Sequence, residues 1–148
     1  MTLYRLAVVI MLTSLLGTAA LAGERGTPEE AKAMAIKAAQ YLRESGPAAA
    51  FAAFDAKDGP WHDRDLWVFV WNTDGKCMFS GATPALIGKT MIDLADADGT
   101  PMVRNFIAVQ DAGWTDFKWM DPTTHKISGK TAYIVAVGNM RVGVGAYK

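Results

Sequence analysis

The segment that most restricts the fold of this chain is Leu66–Trp71, an uninterrupted apolar run with the sequence LWVFVW. Aromatic and β-branched residues in such a run are typical of a β-strand. Side chains alternate along a strand, so Leu66, Val68 and Val70 point to one face and the aromatic residues between them point to the other. Because both faces are apolar, protein must cover both of them. The run therefore predicts a sheet packed between two layers.

Turn-forming segments beside the later apolar runs define the rest of this sheet. Residues 72–75 (NTDG) and the pair Gly138-Asn139 have turn composition and predict two hairpins. Strands joined by such short turns are antiparallel. Besides the first strand, the sequence predicts strands over residues 76–79, 114–119, 130–137 and 141–147.

A long helical region precedes the sheet. Thr27-Pro28-Glu29-Glu30 has the pattern of a helix start, with Thr27 as the cap and Glu30 completing a capping box. Apolar residues then recur at helical spacing. Gly46-Pro47 interrupts this pattern, because proline disrupts a helix interior. The sequence therefore predicts one helical piece over 28–45 and a second over 48–57.

The remaining segment must cover the other face of the sheet. Residues 81–101 are rich in Gly, Pro, Asp and Thr and predict an ordered loop, and residues 102–112 predict a short helix. The expected fold class is therefore α+β. We expect an antiparallel sheet of about five strands, with the long N-terminal helix on one face and the loop with its short helix on the other.

The first 22 residues have the pattern of a secretory signal. Arg5 is the basic flank, Leu6–Leu16 is an uncharged apolar run, and Ala20-Leu21-Ala22 is a small-x-small cleavage site. The apolar run is short for a membrane span, which needs about 20 residues. We therefore predict a signal peptide over 1–22, cleaved to leave one periplasmic or secreted domain over 23–148. An uncleaved anchor is the alternative.

Composition and motifs exclude several classes of function. The chain has 15 basic and 15 acidic residues, and this near-neutral balance argues against nucleic acid as a partner. Asp96-Ala97-Asp98-Gly99 resembles part of a calcium loop, but Leu94 and Asn105 occupy the positions where the first and the closing ligand would fall. We find no nucleophile–base motif and no metal-ligand spacing. The sequence therefore predicts no enzyme activity, no catalytic residue, no metal site and no cofactor.

The lone cysteine, Cys77, cannot form an internal disulfide, so the fold depends on its apolar core. A free thiol in such a chain is typically a small buried hydrophobic group. A reactive, exposed thiol is the alternative.

The aromatic residues of the strands suggest where a ligand could bind. Most aromatic side chains of a small domain belong to its core. A cover made of a loop and a short helix can, however, leave a concave pocket with aromatic walls and a few polar groups. A cationic group beside such walls suits a small carboxylate or another polar solute. The candidate ligand-binding residues are Trp67, Phe69, Trp71, Phe79, Trp119 and Tyr133 as walls, and Ser80, Arg104, Lys118 and Lys130 as polar groups.

Several segments resemble the single Cache domain (type 2) family. LWVFVWNTDG at 66–75 resembles the first hairpin of that family, and PALIGK at 84–89 resembles its NPALVGK loop. The segment that begins DLADADG at 93–99 is similar to DLKDADGKPFVRE. Residues 117–126 are similar to YKWPNPVTGK. The closing strands are similar over 130–135 and 142–147, so the resemblance is collinear from about Thr27 to Tyr147.

The resemblance implies a PAS-like fold, an extracytoplasmic setting and a sensory role toward small molecules, often organic acids. In many members the loop after the second strand reads AHP, and its histidine lies near the ligand. This chain has Phe79-Ser80-Gly81 there. Sensory members usually continue into a second membrane helix and a kinase or chemotaxis module, whereas this sequence ends at Lys148.

The leading hypothesis is an extracytoplasmic domain that binds a small organic acid or a similar polar solute. It would work with a separate membrane-bound receptor or kinase, and a homodimer is possible. The alternative is a structural or protein-interaction module with a filled pocket and no ligand.

Overall fold

A computed structural model describes residues 25–148, so the predicted signal segment 1–22 lies outside the described residues. These residues form two helices, six strands and one 3-10 turn. In order they are α1 (Pro28–Asp55), β1 (His62–Asp63), β2 (Leu66–Asn72), β3 (Cys77–Ser80), the 3-10 turn Pro84–Leu86, α2 (Met102–Ala108), β4 (Ala112–Asp121), β5 (Lys126–Val137) and β6 (Met140–Tyr147).

Helix α1 begins with the predicted capping box. The Thr27 side chain accepts a hydrogen bond from the Glu30 backbone N–H at 3.2 Å, and Glu30 Oε2 accepts one from the Thr27 backbone N–H at 2.8 Å. The predicted interruption is also present, since Gly46 has φ 78° and ψ 165° within the helix. Glycine adopts this left-handed φ without a Cβ clash. As predicted, α1 therefore consists of two helical segments that meet at a kink at Gly46.

All strand pairs of the sheet are antiparallel, as predicted. The strand order is β1-β2-β6-β5-β4, and β3 pairs with residues 69–71 of β2. The described residues contribute six strands rather than about five, because the two-residue strand β1 pairs with the start of β2. Strands β4 and β5 are longer than the strands predicted over 114–119 and 130–137, since their pairing continues to Asp121 and Lys126. Helix α2 is shorter than predicted and ends at Ala108.

The sheet is covered on both faces, as the apolar β2 strand predicts. On one face, which we call the helix face, α1 packs small side chains such as Ala35 and Ala38 against Val68, Val70 and Val144 of the sheet. The opposite face, which we call the cavity face, is covered by α2 and the loop before it. Its buried residues include Trp71, Phe117, Ile134, Met102 and Phe106.

The lone cysteine belongs to the buried residues of the cavity face. Cys77 is fully buried as a free thiol, in agreement with its predicted role as a small apolar group. Burial raises the pKa of this thiol to about 11, although a hydrogen bond with the Phe79 backbone acts to lower it. Within residues 25–148, no helix is long and apolar enough to cross a bilayer.

Candidate functional site

The candidate site is a cavity between the sheet and its loop cover. It has a volume of about 70 Å³. Side chains of β2 and β4 form its walls, and the 3-10 turn and α2 form its cover. It is lined by Trp67, Val68, Phe69, Trp71, Ser80, Ala82, Thr83, Leu86, Leu94, Met102, Phe106, Phe117, Trp119 and Lys130.

This inner cavity adjoins an outer pocket of about 530 Å³. The two spaces share five lining residues, which are Trp67, Ala82, Thr83, Trp119 and Lys130. The inner cavity is mostly apolar and has room for about two water-sized groups. The outer pocket lies in the size range of small-molecule sites and adds polar groups such as Arg64, Asp65 and Tyr147.

Two glycines of β6 create room on the cavity face. A Cβ at Gly143 would lie 2.3 Å from Phe69 Cζ, and a Cβ at Gly145 would lie 2.6 Å from Lys130 Cε. Glycine at these positions therefore lets the Phe69 ring and the Lys130 side chain lie against the strand backbone.

Lys130 lies where the inner cavity and the outer pocket meet. Its ammonium is 4.3 Å from the centre of the Tyr147 ring, a cation–π distance. The ion pairs among residues 25–148 do not include it. Burial lowers the pKa of Lys130 to about 8, although the charges of Asp65 and Asp121 act to raise it. A partly buried ammonium without an ion-pair partner is suited to an anionic ligand.

Comparison with known proteins assigns this chain to a family. A family model described as Single Cache domain 2 matches residues 9–147. The chain belongs to this family. Cache domains are extracytoplasmic sensory domains, and the fold found here is the PAS-like fold that the sequence predicts.

Two solved structures are similar to this Cache domain over 80% of its chain. One is a methyl-accepting chemotaxis protein from Vibrio parahaemolyticus RIMD 2210633, with a TM-score of 0.68, 26% identity and 86% of that chain covered. The other is a Cache chemosensory domain studied for its recognition of carboxylic acids, with a TM-score of 0.62, 17% identity and 86% of that chain covered.

A sensor kinase also contains a related segment. Sensor histidine kinase MctS of Rhizobium johnstonii is 29% identical to the Cache domain over 90 residues. The match covers 58% of this chain and 20% of the kinase. The Cache domain therefore corresponds to about a fifth of the length of that protein.

The structure brings six of the ten predicted site residues to the inner cavity. They are Trp67, Phe69, Trp71, Ser80, Trp119 and Lys130. Ser80 lies opposite Phe69 in the β2–β3 pair, and it is the residue that the Cache resemblance aligns with the family histidine. Its hydroxyl accepts a hydrogen bond from the Thr83 backbone N–H at 3.2 Å, which fixes the start of the cover.

The other four predicted site residues lie outside the cavity. Phe79 packs against α1 on the helix face, where its ring stacks on Phe51 at 5.8 Å. Tyr133 also lies on the helix face, against Trp114. The two cations are exposed and form ion pairs with the cover loop, Arg104 with Asp93 and Lys118 with Asp98.

Sequence reasoning missed most of the cover and the polar rim of the outer pocket. The missed residues include Phe106, Phe117, Arg64, Asp65 and Tyr147. A signal for Tyr147 was available, because Gly143, Gly145 and Tyr147 alternate along β6 and so share one face. Two glycines on one face of a strand leave space beside it.

The acidic cover loop has a structural role in this Cache domain. Asp96 accepts hydrogen bonds from the backbone N–H groups of Asp98, Thr100 and Lys118, at 2.9, 2.8 and 2.7 Å. The carboxylate therefore holds the loop in its turn and ties it to β4. No group of three potential metal ligands lies close together within the described part of the chain.

The low pKa of Lys130 leads to a pH-dependent stability. An unfolded lysine has a pKa of about 10.4, so the folded Cache domain releases this proton first as the pH rises. Its stability then increases above pH 8, because the unfolded state binds more protons. Relative to Lys130→Met, the free energy of unfolding of the natural protein should rise by about 2 kcal/mol between pH 7 and pH 10.

Urea titrations of both proteins at several pH values would measure this difference. Contributions that the two proteins share and that Lys130 does not influence, such as that of Cys77, cancel in the comparison. The matched control is Lys118→Met, because the hydrogen bond that its ammonium donates to Asp98 raises the pKa of Lys118, and no gain is expected below pH 10. A pH-independent difference for Lys130→Met would contradict the prediction.

Proposed function

We propose that this Cache domain is a non-enzymatic, extracytoplasmic sensor that binds a small organic carboxylate. The observation that carries the proposal is the Lys130 ammonium, which has no ion-pair partner among residues 25–148 and lies at the edge of an aromatic cavity. The carboxylate would bind Lys130, and the carbon chain would enter the inner cavity between Trp67, Phe69 and Trp119. Aromatic walls contribute apolar contact, while the charge fixes the orientation of the ligand.

The size of the inner cavity suggests which carboxylates fit best. About 70 Å³ accommodates an alkyl group of about two carbons beyond the carboxyl group. Larger or more polar substituents would have to extend into the outer pocket beside Thr123 and Tyr147. We therefore expect short monocarboxylates, with propionate as the first probe.

The comparisons and the open space support the sensory proposal over a filled interaction module. One structural relative is a Cache chemosensory domain studied for carboxylic acid recognition, and another relative is a sensor histidine kinase. We infer by analogy that occupancy is passed to a membrane-bound receptor or kinase, after export directed by the predicted signal peptide.

A ligand screen tests this function directly. Acetate, propionate, butyrate and succinate are titrated into the mature protein, and the melting temperature and the calorimetric heat are recorded. A ligand at a hundred times its Kd adds about 2.7 kcal/mol to the free energy of unfolding, a shift on the order of 10 °C.

Variants at two lysines make the screen specific. Lys130→Met should weaken propionate binding about 100-fold, because the carboxylate loses its charged partner. Lys118→Met removes an exposed cation outside the cavity and should leave the affinity unchanged. Binding that survives in Lys130→Met would place the anchor elsewhere, and the absence of any shift with these acids would overturn the proposed ligand class.

A further inference from the structure

Two carboxylates act electrostatically on Lys130 without forming an ion pair with it. They are Asp65, beside it in the rim of the outer pocket, and Asp121, at the end of β4. Tyr147 lies against the same ammonium, and Arg64 lines the same pocket. A lysine among these groups would ordinarily be expected to pair with one of the carboxylates. Its unpaired state therefore needs an explanation.

Both carboxylates are occupied by the short segment that precedes α1. The Arg25 guanidinium forms an ion pair with Asp121 at 2.5 Å, and the Gly26 backbone N–H donates to Asp65 Oδ1 at 2.6 Å. Asp121 is only 1% exposed and also accepts a hydrogen bond from the Thr123 backbone N–H at 2.8 Å. Burial acts to raise the pKa of Asp121, but its hydrogen bonds, that from Arg25 foremost, lower it to about 2.

The position of this segment is fixed by contacts of its own. The Arg25 carbonyl accepts a hydrogen bond from Arg64 Nη1 at 2.9 Å. Gly26 lies so close to β2 that a Cβ would be 2.1 Å from Leu66 Cγ. Thr27 then caps α1. The segment is therefore held between the sheet and the start of α1, with the Arg25 side chain directed to Asp121.

Arg25 and Lys130 share a neighbour, the Tyr147 ring. The Arg25 guanidinium is 5.6 Å from the ring centre, and the Lys130 ammonium is 4.3 Å from it. The Tyr147 hydroxyl is held by a hydrogen bond to the Met120 carbonyl at 2.6 Å. The two cations thus lie around one fixed ring, and only one of them is paired with Asp121.

We propose that Arg25 is a positioning residue that engages Asp121 and so keeps the Lys130 ammonium available to an anionic ligand. The hydrogen bond from the Gly26 backbone N–H likewise engages Asp65, so that Asp65 does not pair with Lys130. Removing Arg25 would leave a buried carboxylate without its cation, and Lys130 would become the cation nearest to it. The self-paired lysine would then compete with the ligand carboxylate. The role of Lys130 as a ligand anchor rests on the proposed function, whereas the charge arrangement does not.

A double-mutant cycle with a ligand-independent readout tests this inference. The pKa of Lys130 is measured by NMR of lysine-labelled protein for the natural chain, Arg25→Ala, Asp121→Asn and the double variant. Arg25→Ala should raise the pKa from about 8 toward the ordinary value of about 10.4, because the charge of Asp121 is no longer compensated. The double variant should reverse this rise, and Arg25→Lys should stay near the natural value.

Propionate affinity of the same variants provides the functional readout. Arg25→Ala should weaken binding about tenfold, and the added Asp121→Asn substitution should restore it. Circular dichroism confirms the fold of each variant, and Arg25→Gln replaces Arg25→Ala if the latter does not fold. An unchanged Lys130 pKa in the folded Arg25 variant would overturn the inference, whether or not propionate binds. If the natural protein binds no carboxylate, the proposed function fails, while the titration still decides the role of Arg25.

Discussion

Replacement of Phe54 by alanine is expected to lower the free energy of unfolding by about 3–5 kcal/mol. The Phe54 ring is 2% exposed and lies at the centre of an aromatic cluster between α1 and the sheet. Its centre is 5.0 Å from that of Trp61, 5.7 Å from that of Phe79 and 6.3 Å from that of Tyr41. Alanine would leave a cavity that these large rings cannot close by small movements.

Chemical denaturation of Phe54→Ala measures this loss. The matched control on the same helix is Ile36→Ala, whose side chain is 45% exposed and should cost only about 0.5 kcal/mol. Phe54 lies after the kink at Gly46, so this variant also measures the contribution of the second part of α1. A loss as small as that of Ile36→Ala would mean that the second part of α1 contributes little to the core.

The layered fold was predictable because its signals are local and periodic. Alternation in β2 identified which side chains face α1 and which face the cavity. The capping box at Thr27 and the Gly46-Pro47 pair marked the start and the kink of α1. These features depend on a few neighbouring residues and on well-known backbone preferences.

The positions of Phe79 and Tyr133 depend instead on register, which the sequence does not reveal. In β3, Cys77 pairs with Trp71 and Phe79 pairs with Val70, so the pairing shifts by one residue there. This irregularity places Phe79 on the helix face. Tyr133 pairs with Val144, a helix-face residue of β6, and therefore lies on that face as well.

The polar rim of the site was harder still to predict. Asp65 and Asp121 are 56 residues apart in the sequence, and Arg25 precedes the first helix. Only the assembled sheet brings them around Lys130, because β2 and β5 are separated by β6 alone. Such a cluster has no spacing pattern that a single sequence can display.

Alanine substitutions at two glycines of β6 should separate effects on stability from effects on ligand binding. Gly143 and Gly145 lie on the same strand and the same face, yet their neighbours differ. A Cβ at Gly143 would lie 2.3 Å from the Phe69 ring and 2.7 Å from Ile134 Cδ1, both part of the packed cavity-face core. Gly143→Ala should therefore lower the free energy of unfolding by about 2–3 kcal/mol.

At Gly145 the close neighbour is the end of a flexible side chain. The added Cβ would lie 2.6 Å from Lys130 Cε, so Lys130 can move away at little cost to the fold. We expect Gly145→Ala to cost less than about 1 kcal/mol, partly offset by the higher strand stability of alanine. Moving the ammonium away from the cavity should nevertheless weaken propionate binding at least about tenfold.

Gly113→Ala in β4 is the control for both variants, because its Cβ would meet only Val109 Cγ1 at 4.0 Å. It should change neither stability nor affinity appreciably. Denaturation and calorimetry on the three variants then separate two causes of lost binding. If Gly145→Ala binds propionate as well as the natural protein does, the position of Lys130 against β6 does not matter for the ligand. If it loses as much stability as Gly143→Ala, the Lys130 side chain is part of the rigid core and not a movable anchor.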